Sequence, residues 1–132
     1  MHRSRFDNSC PYDKGNVRSN FVYSDFPVFH DHEYWEFLVL YKGSFTHTIN
    51  GETMVISHGD AFLIRPEDIH KLISNTETAA HLNIMLDTNL FESFINLYSP
   101  NLLNVLKSKK YIHVSLNDMQ IEKFIEYSNL LK

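Results

Sequence analysis

The sequence predicts a mainly β domain followed by α-helices, and three observations carry this prediction. Short apolar segments between Val28 and Leu86 are separated by turn residues without helical periodicity, which is typical of an antiparallel barrel or sandwich. After Asp87 the apolar residues recur at helical spacing. Within Val28–Tyr41, ionisable side chains interrupt a stretch that is otherwise apolar on both faces, which indicates a site inside the β portion.

The predicted strands follow one another closely along the chain. Phe21–Tyr23 opens the first, and Val28–Tyr41 contains one or two more. Ser44–Ile49 and Glu52–Ile56 form a hairpin, because Asn50-Gly51 between them suits a turn in which both residues have positive φ. The β portion ends with three further strands, Ala61–Arg65, Lys71–Ser74 and Ala80–Leu86.

Three helices are predicted in the last third of the chain. Thr88–Tyr98 has helical apolar spacing, and Ser99-Pro100 provides an N-cap and a proline at the first helical position for a second helix. Ser115 to Asp118 resembles the capping box of a third helix. This helix reaches Lys132 without a stop signal, so we expect the sequence to end before a further domain.

Length and composition restrict the class of protein. The 132 residues suffice for one domain, or for one domain and the start of another. The net charge of -4 argues against nucleic-acid binding by this segment. No apolar run approaches the roughly 20 residues of a membrane span, and the polar start is no signal peptide. The single Cys10 cannot form an internal disulfide. We therefore expect a cytoplasmic protein that does not contact the membrane.

Four ionisable residues form the candidate site. His30, His32 and Glu36 have the same parity along a strand and leave one face, and His70 is a candidate fourth member. Three imidazoles and one carboxylate suit a divalent Zn, Ni, Mn or Fe ion. The alternative is a hydrogen-bonded polar cluster without metal.

Other polar and aromatic residues permit two interpretations each. His47 alternates with Phe45 and Ile49, and a satisfied, half-buried histidine is favoured over a pocket group. The strand Ala80–Leu86 places His81 and Asn83 on one face, which on pattern alone suits solvent as well as a pocket. The aromatic residues Tyr34, Trp35 and Tyr41 could stack on a sugar ring, although a core role is favoured.

Two motifs carry a resemblance to a known family. His30-x-His32-x3-Glu36-x6-Gly43 resembles the core of the first cupin motif, and Gly59-Asp60 with Pro66 and His70 resembles the second. The second motif is one residue shorter between Pro66 and His70 than in cupin enzymes, and it lacks the glycine after the proline. Together with a helical tail, this form is more similar to the sensor domain of AraC-family transcription regulators, especially those of sugar-utilisation operons.

The resemblance implies an organisation for the chain. It implies a flexible N-terminal arm over 1–20, and a cupin-like antiparallel β-barrel (double-stranded β-helix or jelly roll) over 21–86. The segment 87–132 would be a helical dimerisation and linker region that leads to a helix-turn-helix DNA-binding region outside this sequence. The implied partners are a second copy of the chain and a small-molecule effector, a sugar or oligosaccharide.

The resemblance also implies the site residues. Six would bind the effector: His30, His32, Glu36, His70, His81 and Asn83. One divalent transition metal would be held by His30, His32, Glu36 and His70, with no other cofactor. The expected function is therefore sensing rather than catalysis. A small metal-dependent cupin enzyme, a dioxygenase or sugar isomerase, is the alternative, and a sugar-binding module without a regulatory partner is the third reading.

Overall fold

The computed structural model describes residues 2–4, 17–22 and 26–130, and within them the chain forms ten strands and three helices. Cys10, most of the predicted arm and Leu131-Lys132 lie outside these residues. In chain order the elements are β1 (His2–Ser4), β2 (Val17–Val22), β3 (Phe26–His32), β4 (Tyr34–Lys42), β5 (Ser44–Ile49), β6 (Glu52–Ser57), β7 (Asp60–Ile64), β8 (His70–Ser74), β9 (Ala80–Asp87), α1 (Thr88–Tyr98), α2 (Pro100–Ser108), β10 (Ile112–Ser115) and α3 (Asp118–Leu130).

Eight of the strands, β2 to β9, have the order of a jelly roll. One sheet has the order β1-β3-β8-β5-β6, and the other has the order β10-β7-β4-β9-β2. The pairings among β2 to β9 are antiparallel, whereas β1 pairs with β3 in parallel. The predicted fold class, an antiparallel jelly-roll barrel followed by helices, is therefore confirmed.

The hairpin between β5 and β6 forms at the predicted turn. Ile49 pairs with Glu52, so two residues connect the strands. Asn50 has φ 48° and Gly51 has φ 85°, and both therefore lie in the left-handed region. Two positive φ values give the turn the twist that matches its flanking strands.

Apolar side chains pack in three clusters, one inside the barrel and two on the outer face of the second sheet. The barrel interior is filled from both sheets, and Leu38, Phe45 and Phe62 are among its fully buried members. On the outer face of the second sheet, Trp35 packs with residues of α1 and α2, and Val39 packs against α3. Strand β4 is thus covered on both faces, which explains why its sequence is apolar at both parities.

The capping of α3 differs from the prediction. The side chain of Asn117 accepts a hydrogen bond from the backbone N–H of Gln120, and the Gln120 side chain accepts one from the Asn117 N–H, both at 2.9 Å. This reciprocal pair is a capping box. It lies two residues after the predicted pair of Ser115 and Asp118, because Ser115 is the last residue of β10.

Strands also occur where the sequence predicted none. β1 and the first residues of β2 lie within the segment 1–20 that was expected to form an arm. β10 lies within the segment 87–132, for which only helices were expected, and pairs antiparallel with β7. The four residues of β10 are too few for their alternation to stand out beside the long helical patterns around them.

A buried ion pair fastens the barrel to the end of α2. Arg65 is 3% exposed and Asp68 is 1% exposed, and the guanidinium bonds both carboxylate oxygens at 2.8 to 3.1 Å. The same guanidinium donates to the carbonyl oxygens of Leu106, Lys109 and Lys110. Buried charge is tolerated when its hydrogen-bonding capacity is filled in this way.

Asn50 extends this contact to the strand that follows. Its amide Nδ2 donates to Asp68 Oδ1 at 2.9 Å and to the Lys110 carbonyl at 2.7 Å. Its Oδ1 accepts from the backbone N–H of Ile69 at 3.0 Å. We call Asn50, Arg65 and Asp68 the Arg65 cluster. It links α2 to the backbone immediately before His70.

In the part of the chain that the structure describes, no helix has the length and apolar character that a membrane span requires.

Candidate metal and ligand site

Three histidines converge at one end of the barrel interior. His30 and His32 are at the end of β3, and His70 begins β8, where it lies opposite His30 in the antiparallel register. One ring nitrogen from each of the three lies within 4.8 Å of the other two. All three side chains are buried. The group therefore has the size and composition of a metal site built from imidazoles.

Glu36 reaches this group from the opposite sheet. Its Oε2 lies 3.0 Å from His32 Nε2, so it adjoins the three histidines through His32. The shared parity of His30, His32 and Glu36 predicted a common face of one strand, and this prediction is wrong. The chain bends at Glu33, and Glu36 belongs to β4 in the second sheet. The residues meet because the two sheets face each other across the interior.

Backbone carbonyls fix the tautomers of two of the histidines. His30 Nδ1 lies 3.0 Å from the Val28 carbonyl oxygen, and His32 Nδ1 lies 3.3 Å from that of Tyr34. A carbonyl only accepts, so Nδ1 carries the proton in each neutral ring. Their Nε2 lone pairs are then available to a metal, an arrangement common for histidine ligands.

The spacing of the nitrogens fits a metal ion. His32 Nε2 and His70 Nε2 lie 3.3 Å apart. Two nitrogens bound at 2.0–2.1 Å to one tetrahedral ion are separated by about 3.4 Å. His30, His32 and His70, with Glu36 beside them, therefore fit a divalent transition metal, and the donor set does not distinguish among Zn, Ni, Mn and Fe.

His47 is part of the site although the sequence favoured a half-buried, satisfied histidine. It is 0% exposed, and its Nε2 lies 2.9 Å from His70 Nδ1. Its own Nδ1 has no hydrogen-bond partner among the described residues. The sequence contained an indication that His47 faces the interior, because His47 has the same parity as Phe45 and Ile49, which are both buried.

His81 and Asn83 face the same interior. In the register between β4 and β9, His81 is opposite Leu40 and Asn83 is opposite Leu38, two residues of the interior core. His81 Nδ1 and Asn83 Oδ1 lie 2.9 Å apart. The His81 ring meets Phe45 edge-on, with 5.4 Å between the ring centroids. These two residues therefore add hydrogen-bonding groups to the interior.

The electrostatics favour an ionised Glu36 carboxylate and neutral rings at His47 and His70. Burial raises the pKa of Glu36, but the charge and hydrogen bond of His32, followed by the charges of His81 and His30, outweigh burial and lower it. Burial lowers the pKa of His70 well below its usual value, and the neighbouring histidines lower it further. Burial also lowers the pKa of His47 to about 4. His47 and His70 are thus neutral, and each ring keeps one nitrogen without a proton, which is the form that a metal ligand needs.

The three aromatic residues named from the sequence have different environments. Tyr34 stacks on the His32 ring, with the planes 10° apart and the centroids at 4.5 Å. Trp35 lies in the outer core against Phe91 and donates to Glu92 Oε2 at 3.4 Å. Tyr41 is partly exposed. Of these three, Tyr34 is the residue that contacts the candidate site.

Solved structures similar to part of the chain include cupins. Oxalate decarboxylase of Bacillus subtilis, a protein with Mn(II) centres, is 22% identical, with a TM-score of 0.47 over 55% of this chain and 21% of that chain. A cupin protein of Bacteroides fragilis is also 22% identical, with a TM-score of 0.46 over 55% of this chain and 64% of that chain. The chain therefore spans about a fifth of the decarboxylase.

Sequence comparison gives a more extensive match. The family model described as the AraC-like ligand binding domain matches residues 18–125, which include the barrel, α1, α2 and most of α3. No curated protein matches the chain.

Proposed function

We propose a function from one established premise: the chain belongs to the family of AraC-like ligand-binding domains. We infer that it is the effector-sensing and dimerising domain of a cytoplasmic transcription regulator. A small molecule would bind inside the barrel and control DNA binding by a helix-turn-helix region outside this sequence. The observation that carries the proposal is the family match over 18–125, because it covers both the barrel and the helices.

The interior polar groups support effector binding. Polar and ionisable side chains are costly inside an apolar barrel unless they are paired, bind a metal or bind a ligand. We propose six residues for effector binding: His30, His32, Glu36, His70, His81 and Asn83. Imidazoles, a carboxylate and an amide together donate and accept hydrogen bonds, which suits the hydroxyl groups of a sugar or short oligosaccharide.

The donor set supports a metal ion as part of this site. We propose that His30, His32 and His70 hold one divalent transition metal, with Glu36 as the fourth ligand. The metal would supply a Lewis-acid contact to an oxygen of the effector. Because His30 Nδ1 and His32 Nδ1 contact the carbonyl oxygens of Val28 and Tyr34, their Nε2 atoms would be the nitrogens that bind the ion.

The outer face of α1 supports dimerisation. Leu90, Phe94, Leu97 and Tyr98 are exposed and recur at helical spacing, so they form one apolar stripe. Contiguous exposed apolar surface is typical of an interface. We propose that a second copy of the chain covers this stripe.

The effector would control DNA binding only if the protein binds it with different affinity in two arrangements of the barrel and helices.

Calorimetric titration with a panel of sugars, in the presence and absence of Zn²⁺, Ni²⁺, Mn²⁺ or Fe²⁺, tests effector binding. We expect at least one sugar to bind. Asn83→Leu should weaken that binding at least about tenfold, because it removes both hydrogen-bonding atoms of the amide. Asn129→Leu, an exposed position on α3, is the control and should leave affinity unchanged. Unchanged affinity in Asn83→Leu would remove this residue from the pocket.

The regulatory part of the proposal needs a separate experiment. The reading frame of the parent gene should continue beyond Lys132 into about a hundred residues with a basic helix-turn-helix pattern. A stop codon directly after Lys132 would contradict control of DNA binding within the same polypeptide.

A metal-dependent cupin enzyme is the second candidate function, and the group of three histidines with Glu36 is the observation that favours it. Ligands alone do not imply catalysis. Turnover of a candidate substrate by the metal-loaded protein, with none by the metal-free protein, would favour the enzyme over the sensor.

A further inference from the structure

We propose that His47 is a positioning residue of the candidate metal site: when a metal binds, His47 Nε2 would accept a hydrogen bond from His70 Nδ1–H, which leaves His70 Nε2 free to bind the ion. This inference rests on the proposed metal binding and goes beyond it, because His47 belongs to neither cupin motif. It concerns a residue that would contact the metal through His70 only.

The contact is held by packing on both strands. His47 is on β5 and His70 is on the adjacent strand β8, where Ile49 is the direct partner of His70. His47 Nε2 and His70 Nδ1 are 2.9 Å apart, with the two rings at 83° to each other. The Phe62 ring meets His47 edge-on at 4.5 Å between centroids. His47 therefore has a defined orientation and no exposure to solvent.

The partner of His70 differs in kind from those of the other two histidines. His30 and His32 contact carbonyl oxygens, which accept and never donate. His70 Nδ1 instead contacts another imidazole, which can do either. The tautomer of His70 is thus coupled to the tautomer of His47.

Two arrangements of the protons are compatible with this contact. In the first, His47 Nε2–H donates to His70 Nδ1, so His70 carries its proton on Nε2, directed at His32 Nε2 at 3.3 Å. In the second, His70 Nδ1–H donates to His47 Nε2, and His47 carries its own proton on Nδ1. Each ring keeps one proton in both arrangements, and only the second leaves His70 Nε2 with a lone pair.

A metal would bind to the second arrangement, because His70 Nε2 then has a free lone pair. The surroundings of His47 disfavour this arrangement. Its Nδ1 is buried without a hydrogen-bond partner among the described residues, so a proton placed there is unsatisfied. His47 therefore keeps affinity for the metal below what a simple carbonyl acceptor would give. It also makes metal binding and the rearrangement of two buried protons one event.

Competition between the protein and a chelator for Zn²⁺ tests this role with three proteins. His47→Gln places an amide oxygen close to the position of Nε2, and should bind Zn²⁺ as tightly as the wild type or more tightly. His47→Leu removes the acceptor and should weaken Zn²⁺ binding about 10- to 100-fold, as found for partners of metal-bound histidines. His113→Leu is the matched control, because His113 stacks on the same Phe62 ring but is not one of the histidines of the candidate site. This variant should bind Zn²⁺ with the affinity of the wild type.

Nitrogen NMR of the metal-free proteins measures the tautomer of His70. This tautomer would be the same in all the variants if His47 only filled space. We expect His70 to carry its proton on Nε2 in the wild type and on Nδ1 in His47→Gln. Equal losses of Zn²⁺ affinity in His47→Gln and His47→Leu, or an unchanged His70 tautomer in His47→Gln, would overturn the proposal. If His47→Leu does not fold, the His70 tautomers of the wild type and His47→Gln still test the proposal.

The outcome for the wild type separates this inference from the proposed function. Wild-type protein that binds no Zn²⁺, Ni²⁺, Mn²⁺ or Fe²⁺ would overturn metal binding and this inference with it. Wild-type protein that binds Zn²⁺ with the same affinity as His47→Leu would overturn this inference alone.

Discussion

Glu36 and His32 are in contact across the barrel interior, with 3.0 Å between Oε2 and Nε2, although they belong to different sheets. They are four positions apart in the sequence, and the bend at Glu33 turns the chain from one sheet into the other. A short corner of the chain thus supplies both a carboxylate and an imidazole to one point. The carboxylate stays ionised there because its pKa is lowered by the surrounding histidines despite burial.

Removal of that negative charge should weaken metal binding. Glu36→Gln keeps the size of the side chain but eliminates the carboxylate, and we expect Zn²⁺ affinity to fall at least about tenfold, because even partners outside the ligand set contribute about 10- to 100-fold. Chelator competition measures the change. Glu77→Gln, at an exposed position, is the control. Equal affinities of the two variants would exclude Glu36 as a ligand.

The metal-free protein should lose stability in mild acid. The pKa of His47 is lowered from its usual 6.5 to about 4, so the unfolded chain binds a proton that the folded chain does not. The stability that His47 contributes is therefore complete above about pH 6.5 and is lost as the pH falls toward 4. Linkage gives a loss of about 2 kcal/mol between pH 7 and pH 5. The pKa of His70 is lowered for the same reason and adds to this effect.

Urea unfolding in the presence of a chelator measures this dependence. His47→Gln, which cannot titrate, should show a smaller loss between pH 7 and pH 5 than the wild type. Asn129→Gln, at an exposed position on α3, keeps both His47 and His70 and should show the same loss as the wild type. The same loss in all three proteins would mean that His47 is protonated in the folded state.

Much of the barrel could be predicted from the sequence because its determinants are local. Asn50-Gly51 specified a turn through two positive φ values, and the parity of Ala80–Leu86 put His81 and Asn83 on one face. The contact between His47 and His70 could not be predicted in this way, since it joins residues 23 apart through the pairing of β5 with β8. Strand β10 was missed because its pairing with β7, in which Ile112 lies opposite Leu63, is even more remote in sequence.

The Arg65 cluster should be one of the most sensitive points of the fold. Arg65→Met leaves the buried Asp68 carboxylate without its partner and also removes the donor to three carbonyls at the end of α2. Breaking a buried ion pair from one side costs about 3–5 kcal/mol. Chemical unfolding measures the loss. Lys123→Met breaks an exposed contact with Glu126 and should cost at most about 1 kcal/mol. Similar values for both variants would contradict the assigned role of Arg65.

Dimerisation through α1 should depend on its apolar stripe. Leu97 is 87% exposed, so Leu97→Asp should dissociate a dimer without a large change in the stability of the single chain. Analytical ultracentrifugation over a range of concentrations measures the association. Val55, 72% exposed on β6, offers the matched control Val55→Asp, which should associate like the wild type. A dimer that survives Leu97→Asp but not Val55→Asp would move the interface to the barrel edge.

The position of β10 determines where this chain can be truncated without disrupting the fold. The strand follows α2 in sequence yet returns to the edge of the sheet beside β7, and the Leu116 N–H bonds the Gly59 carbonyl at 2.7 Å. A fragment that ends at Leu86 would leave β7 unpaired on one side and would uncover Trp35 and Leu63, which pack against the later elements. The barrel is therefore not a detachable module. For cloning, domain exchange or permutation, the smallest indivisible unit includes the helices and the strand that closes behind them.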